Sequence, residues 1–296
     1  MTKSKLTRAM TSDGSARLIF AETTAIVQRA HEIHETSKTI CAALGRALTA
    51  ASMMGCLLKD KTDTLSIQFR GDGPAGSIVC ISDYIGNVRG YVANPDVELP
   101  PNDKGKLNVG GAIGEGTLTV VRTHDGAEPY IGISNLVSGE IAEDITEYFA
   151  QSEQTPTVCA LGVLCEKDSS CRAAGGFLLQ LMPGADEDII PKLEANIASL
   201  EPVTTMMRNG QGAADIIDRI LNGIEYDLFD EIEVDYECPC SRDSYIRGLM
   251  SLGCDELSKL AAEGKTIETK CRYCGAKNEF TVDQLNDMIM AINEDK

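Results

Sequence analysis

Residues 65–93 read LSIQFRGDGPAGSIVCISDYIGNVRGYVA, and they set the architecture of most of the chain. Runs rich in β-branched and aromatic residues at 65–69, 77–82 and 88–93 are broken by the glycine-rich segment 71–76 and by Gly86-Asn87. Short runs separated by glycine-led turns fold back on one another as hairpins of an antiparallel sheet. Similar runs at 17–20, 117–123 and 130–134 extend the pattern, and Asp125-Gly126 marks another turn. Between the runs at 17–20 and 65–69, Ile40, Leu44, Ala47, Leu48, Ala51 and Leu58 fall near helical spacing, which predicts a long helix packed on the sheet. Residues 1–180 are therefore expected to form one α+β body, an antiparallel sheet with packed helices.

The texture then changes, and 181–230 reads as a helical linker. Ile189, Ile190, Leu193, Ile197 and Leu200 make one apolar stripe, and Ala213, Ile216, Ile217, Ile220 and Leu221 make a second. Pro202 and Gly223 are expected to end these helices. Helices so short are marginal alone, so their stability comes from what they cover. Residues 231–296 read as a small C-terminal domain with five cysteines. It is too short to bury much core, which calls for a metal staple. Val282, Leu285, Met288, Ile289 and Ile292 predict a closing helix.

Composition narrows the function. A net charge of -18 and a pI near 4.6 disfavour nucleic acid and anionic membranes, whose ligands gain affinity from cationic side chains. The first ten residues lead into the polar run 11–15, without the apolar stretch of a secretory signal. No window approaches the roughly 18 apolar residues that span a bilayer. The expected compartment is the cytoplasm, where thiols stay reduced, so the eleven cysteines are not a disulfide framework. Cys41, Cys56, Cys80 and Cys159 sit singly in apolar or small-residue surroundings and read as core. Cys165 and Cys171 flank the charged stretch 166–170 and are open to pairing or reaction. Gly71, Gly73 and Gly76 lack the Lys-Ser/Thr that closes a phosphate loop, so ATP binding is not expected. His31, His34 and His124 read as surface or packing residues, with no nucleophile and orienting acid in sequence context.

Chemistry concentrates in Cys238-Pro239-Cys240 and Cys271-Arg272-Tyr273-Cys274, with 30 residues between them. Two close thiol pairs joined by a loop can converge on one tetrahedral ion, and four thiolates suit Zn2+ over harder metals. Gly275 follows the second pair and permits a turn that aims backbone amides at sulfur. Arg242, Lys270, Arg272 and Lys277 lie close in sequence to offset the dianionic centre, and Glu231, Glu233, Asp235 and Glu237 act the other way. Cys254, between the pairs, reads as a packed residue. One reading is a zinc ribbon that only holds the fold. The other is a redox switch: thiolates are the form oxidants attack, each has a neighbour able to resolve it, and loss of the ligands unfolds a metal-dependent segment.

At these residues the chain resembles the redox-regulated thirty-three-kilodalton heat-shock chaperone family. The likeness extends to 69–74 (FRGDGP), 86–91 (GNVRGY), 137–145 (VSGEIAEDI), 152–157 (SEQTPT) and 174–184 (AGGFLLQLMPG), in the family's order. Cys238, Cys240, Cys271 and Cys274 match its zinc ligands; Cys254, Cys165 and Cys171 lie outside its pattern. The resemblance implies an ATP-independent holdase, not an enzyme, that is idle when reduced and zinc-bound. Disulfides Cys238 with Cys240 and Cys271 with Cys274 would release zinc and disorder the linker. The oxidised form, a homodimer, would bind unfolding client proteins. A thiol-disulfide oxidoreductase and a zinc-ribbon adaptor are the alternatives.

Overall fold

The glycine-punctuated stretch forms three adjacent strands. In the computed structural model, which describes residues 3–229 and 231–294, the chain divides into two compact units, Met1–Glu237 and Cys238–Lys296. The first unit runs β1 (Ser4–Thr11), β2 (Ala16–Glu22), α1 (Thr24–His34), α2 (Lys38–Gly55), β3 (Thr64–Gly71), β4 (Ser77–Asp83), β5 (Val88–Val92), α3 (Val109–Ile113), β6 (Gly116–Thr123), β7 (Tyr130–Asn135), α4 (Ala142–Ser152), β8 (Thr157–Cys165) and β9 (Cys171–Leu181). It closes with α5 (Ile190–Ala198), α6 (Val203–Arg208), α7 (Ala213–Ile220), β10 (Tyr226–Leu228) and β11 (Ile232–Val234). The second unit contains α8 (Arg242–Met250), α9 (Cys254–Ala262), β12 (Ile267–Lys270), β13 (Lys277–Phe280) and α10 (Val282–Glu294).

One sheet follows the order β5-β4-β3-β6-β7, antiparallel throughout. Its strands alternate as expected of a half-buried sheet: Leu65, Ile67 and Phe69 point inward on β3, and Ile78 and Cys80 on β4. Asp83 builds the β4–β5 turn, its Oδ1 accepting from the N–H groups of Ile85, Gly86 and Asn87 at 2.9–3.0 Å. Gly86 takes φ +108° there, which a side chain would resist. A Cβ on Gly71 would lie 1.9 Å from the Ile113 carbonyl oxygen, so the glycines of 71–76 serve close backbone approach.

The other sheet has the order β10-β1-β2-β9-β8, with β11 also paired to β1. Helix α2 packs against strands of both sheets. All of its residues except Lys38 and Arg46 are buried, as befits a helix apolar on every side. Ser37 caps it, accepting from the Ile40 N–H at 3.2 Å. Small residues let the strands come close: a Cβ on Gly90 of β5 would sit 2.9 Å from a Leu48 methyl carbon. This is the long helix the periodicity predicts, although it ends at Gly55 and leaves Leu58 to pack on the core from beyond it; the fold class is α+β as expected.

The linker stripes also fall where the pattern puts them. Ile189 and Leu193, then Ile216, Ile217, Ile220 and Leu221, bury against Leu18, Phe20, Phe177 and Leu179 on the second sheet. Pro202 ends no more than the first of them, because α6 begins directly after it and buries Val203 and Met206. The chain then returns to β1, where β10 pairs through Thr11↔Tyr226 and β11 through Ser4↔Val234. Tyr236 adds a parallel bridge to Val88.

In the second unit, Leu257, Ala261, Phe280, Leu285 and Met288 form a small core. The closing helix uses the expected stripe, since Val282, Ile289 and Ile292 also pack on that core. Within it, β12 and β13 make a two-stranded hairpin.

Candidate metal centre

Both thiol pairs sit at the ends of regular elements. Cys271 follows β12, and its N–H donates to the Ala276 carbonyl at 2.8 Å while the Gly275 N–H donates to the Cys271 carbonyl at 2.9 Å. The tight turn needs the left-handed conformation of Gly275, φ 73°. Cys238 and Cys240 lie just ahead of α8, whose cap Ser241 accepts from the Ser244 N–H at 3.2 Å. The Arg242 guanidinium lies 4.4 Å from the centre of the Phe280 ring and donates to Gln284 at 3.0 Å, joining the start of α8 to the small core.

The four sulfurs converge. All lie within 4.8 Å of one another; Cys238 Sγ is 3.8 Å from Cys271 Sγ, and Cys240 Sγ is 3.3 Å from Cys274 Sγ. Zinc–sulfur bonds of about 2.3 Å place tetrahedral ligands about 3.8 Å apart. The cluster therefore has the size and the soft donor set that zinc requires, and this all-cysteine grouping can hold a metal ion.

The thiols are not equivalent. Burial raises Cys238 and Cys240 above the ordinary thiol range. Burial also works to raise Cys271, but the N–H groups of Cys274 and Tyr273, the Tyr245 hydroxyl and the Cys274 thiol together outweigh it and bring the group to about 6. Tyr245 on α8 escapes a sequence reading centred on cysteines and cations. Its signal is position alone, one turn past the cap that follows Cys240.

Some of the flanking charges have partners of their own. Glu231 and Glu233 pair with Lys5 at 2.6 Å and Lys3 at 2.5 Å in the first unit. Lys277 pairs with Glu268 at 2.9 Å. At Cys271, backbone N–H groups and the Tyr245 hydroxyl favour the thiolate. Cys254 opens α9 with its Sγ 3.5 Å from Asn293 Oδ1, and is not a member of the four-sulfur group.

The remaining candidates have structural partners. Cys41 and Cys80 are buried, and burial pushes the thiols of Cys56 and Cys159 up to about 12. His31 Nδ1 lies 3.0 Å from Thr36 Oγ1, His34 Nε2 lies 2.9 Å from the Gly90 carbonyl, and His124 Nδ1 lies 2.9 Å from Asp63. Among the described residues no helix is long and apolar enough to cross a membrane.

Known proteins are similar to this chain over nearly its whole length. A family profile described as "Hsp33 protein" matches residues 4–281. The 33 kDa chaperonin of Clostridioides difficile is 43% identical over 95% of this chain and 97% of its own length. That of Thermoanaerobacter sp. is 39% identical over 98% and 99%. The crystal structure of the 33 kDa chaperonin (heat shock protein 33 homolog) from Thermotoga maritima superposes with a TM-score of 0.91 at 32% identity, covering 100% of both chains. With this likeness running through both sheets, the linker helices and the four-cysteine unit, the chain belongs to the Hsp33 family.

Proposed function

We propose that this chaperone is a holdase switched by oxidation of its four clustered cysteines. The observation that carries the reading is the gathering of Cys238, Cys240, Cys271 and Cys274 within 4.8 Å in a unit of small apolar core. Bound zinc would hold the four sulfurs as thiolates and supply most of the folding free energy of that unit.

The chain's own groups do the rest. The donors around Cys271 favour its thiolate, the form that attacks a hydroperoxide oxygen. That step leaves a sulfenic acid and an alcohol or water, and a neighbouring thiolate displaces hydroxide to make a disulfide. The pairing Cys238 with Cys240 and Cys271 with Cys274 accords with the family resemblance. Oxidised sulfurs cannot ligate, so the unit loosens.

Loosening would pass along the chain to the linker. Three residues separate β11 from Cys238, and α5–α7 are short helices held by their apolar faces. Released, they would uncover Leu18, Phe20, Phe177 and Leu179, an apolar patch suited to unfolding proteins. In this reading 1–180 is the chaperone body, 181–230 the releasable cover and 231–296 the sensor. The active form is a cytoplasmic homodimer that uses neither ATP nor nucleic acid.

Peroxide treatment of purified, reduced protein tests the proposal. Zinc release, measured with a chromogenic chelator, is expected together with suppression of aggregation of a heat-denatured client. Metal release without that suppression overturns it, and catalytic turnover with a thiol reductant would favour an oxidoreductase.

A further inference from the structure

A second group of thiols gathers inside the first unit, far in sequence from the cluster above. Cys41 lies in the first turns of α2, Cys165 ends β8 and Cys171 opens β9. The three pack with Val27, Val163 and Ala174 as an apolar cluster of their own. Cys165 Sγ lies 3.7 Å from the Lys38 carbonyl oxygen, over the start of α2. That places it beside Cys41, with which it packs in the same apolar cluster. Cys171 stands opposite Cys165 in the strand register, at an irregularity between Leu164 and Cys165. All three are free thiols in this structure.

We propose that Cys41 and Cys165 are a second redox pair, which hydroperoxides close to a disulfide tying α2 to β8. Cys165 is the entry point, since it is only partly buried whereas Cys41 is 2% exposed. Cys41 is the resolving partner because Cys165 Sγ lies over the first turn of α2, where it packs with Cys41 in one apolar cluster.

The chemistry balances. Cys165 sulfur, giving up its proton, attacks one oxygen of the hydroperoxide; the O–O bond breaks, alcohol or water leaves, and sulfur keeps a hydroxyl. Cys41 sulfur, losing its own proton, then attacks Cys165 sulfur. The S–O bond breaks and the hydroxyl leaves with that proton as water. Two thiols have lost two electrons, and the hydroperoxide has gained them. The Cys165 thiol is held protonated by Cys41 and by burial, so the step is slow and belongs to prolonged rather than brief exposure.

The product would close a long loop through the helix that packs on both sheets. A cross-link of that span restricts the unfolded chain and so favours the folded body. The site is independent of the metal cluster and would hold the body together under the conditions proposed to open the C-terminal unit.

The test treats the full-length chain with hydrogen peroxide for hours, blocks the remaining thiols, and examines it by non-reducing denaturing gel and by mass mapping of the digest. The expected result is a Cys41–Cys165 linked peptide and a faster-migrating band, because a long closed loop compacts the denatured chain. Both should vanish in Cys165→Ser and persist in Cys171→Ala. The oxidised parent should melt at least about 5 °C above oxidised Cys165→Ser. A Cys165–Cys171 link, which closes only a hairpin and leaves mobility unchanged, overturns the proposal. So does full alkylation of Cys41 and Cys165 after the C-terminal cysteines have been oxidised. Both readouts are made on the parent and need no variant to fold.

Discussion

Helix α2 and the hairpin β12–β13 illustrate two ways of holding a chain together. The first is wrapped by two sheets, and nearly every residue along it is buried. The second has beside it a core of five buried residues and a knot of four sulfurs. A polypeptide with enough apolar surface needs no further support, whereas a short one substitutes coordination for burial. On the switch proposed above, the second unit would be the first to open when its sulfurs lose their metal.

Stripping metal from reduced protein should separate the two most sharply. The second unit should lose on the order of 10 kcal/mol of folding free energy and unfold, while amides of α2 stay protected from hydrogen exchange. Protection persisting in α9 and α10 would erase the distinction. Replacing one sulfur, by Cys238→Ser or Cys274→Ser, should weaken zinc binding by roughly 4 kcal/mol, about a thousandfold. Such variants should also suppress aggregation without oxidant; inactivity equal to the parent's would refute an inhibitory role for the unit.

Leu48→Ala attacks the opposite side of the comparison. A fully buried leucine truncated in α2 should cost about 3 kcal/mol, read from denaturant unfolding of the first unit. Zinc per chain should not change. The smallest effect is expected from Tyr245→Phe, which removes one donor to Cys271. It should cost about 1.5 kcal/mol, or roughly tenfold in competition with a chelating dye; unchanged retention would mean that the backbone donors suffice.

Local patterns were the readable part of this fold. Strands β3 to β7 announce themselves by alternation and by Gly86-Asn87 and Asp125-Gly126 at their turns, and α2 and α10 by their stripes. The four-cysteine cluster is equally plain, because two close cysteine pairs carry their meaning in spacing. Hidden features depend on partners remote in sequence. Strands β10 and β11 have three residues each and exist only because β1 offers an edge. Strand β9 is almost wholly buried along its length, so it shows no alternation to read. Tyr245 and the meeting of Cys41 with Cys165 arise from tertiary packing, which no spacing rule encodes.

The double pairing of β1 also orders events during synthesis. Ser4–Thr11 leaves the ribosome well ahead of the strands that cover its outer edge, at 226–228 and 232–234. At roughly 5–20 residues per second, that edge waits on the order of tens of seconds for its partners. An open strand edge accepts any chain that presents itself. The β1 edge is thus open to mispairing until residues 226–234 emerge, a hazard set by topology and not by composition.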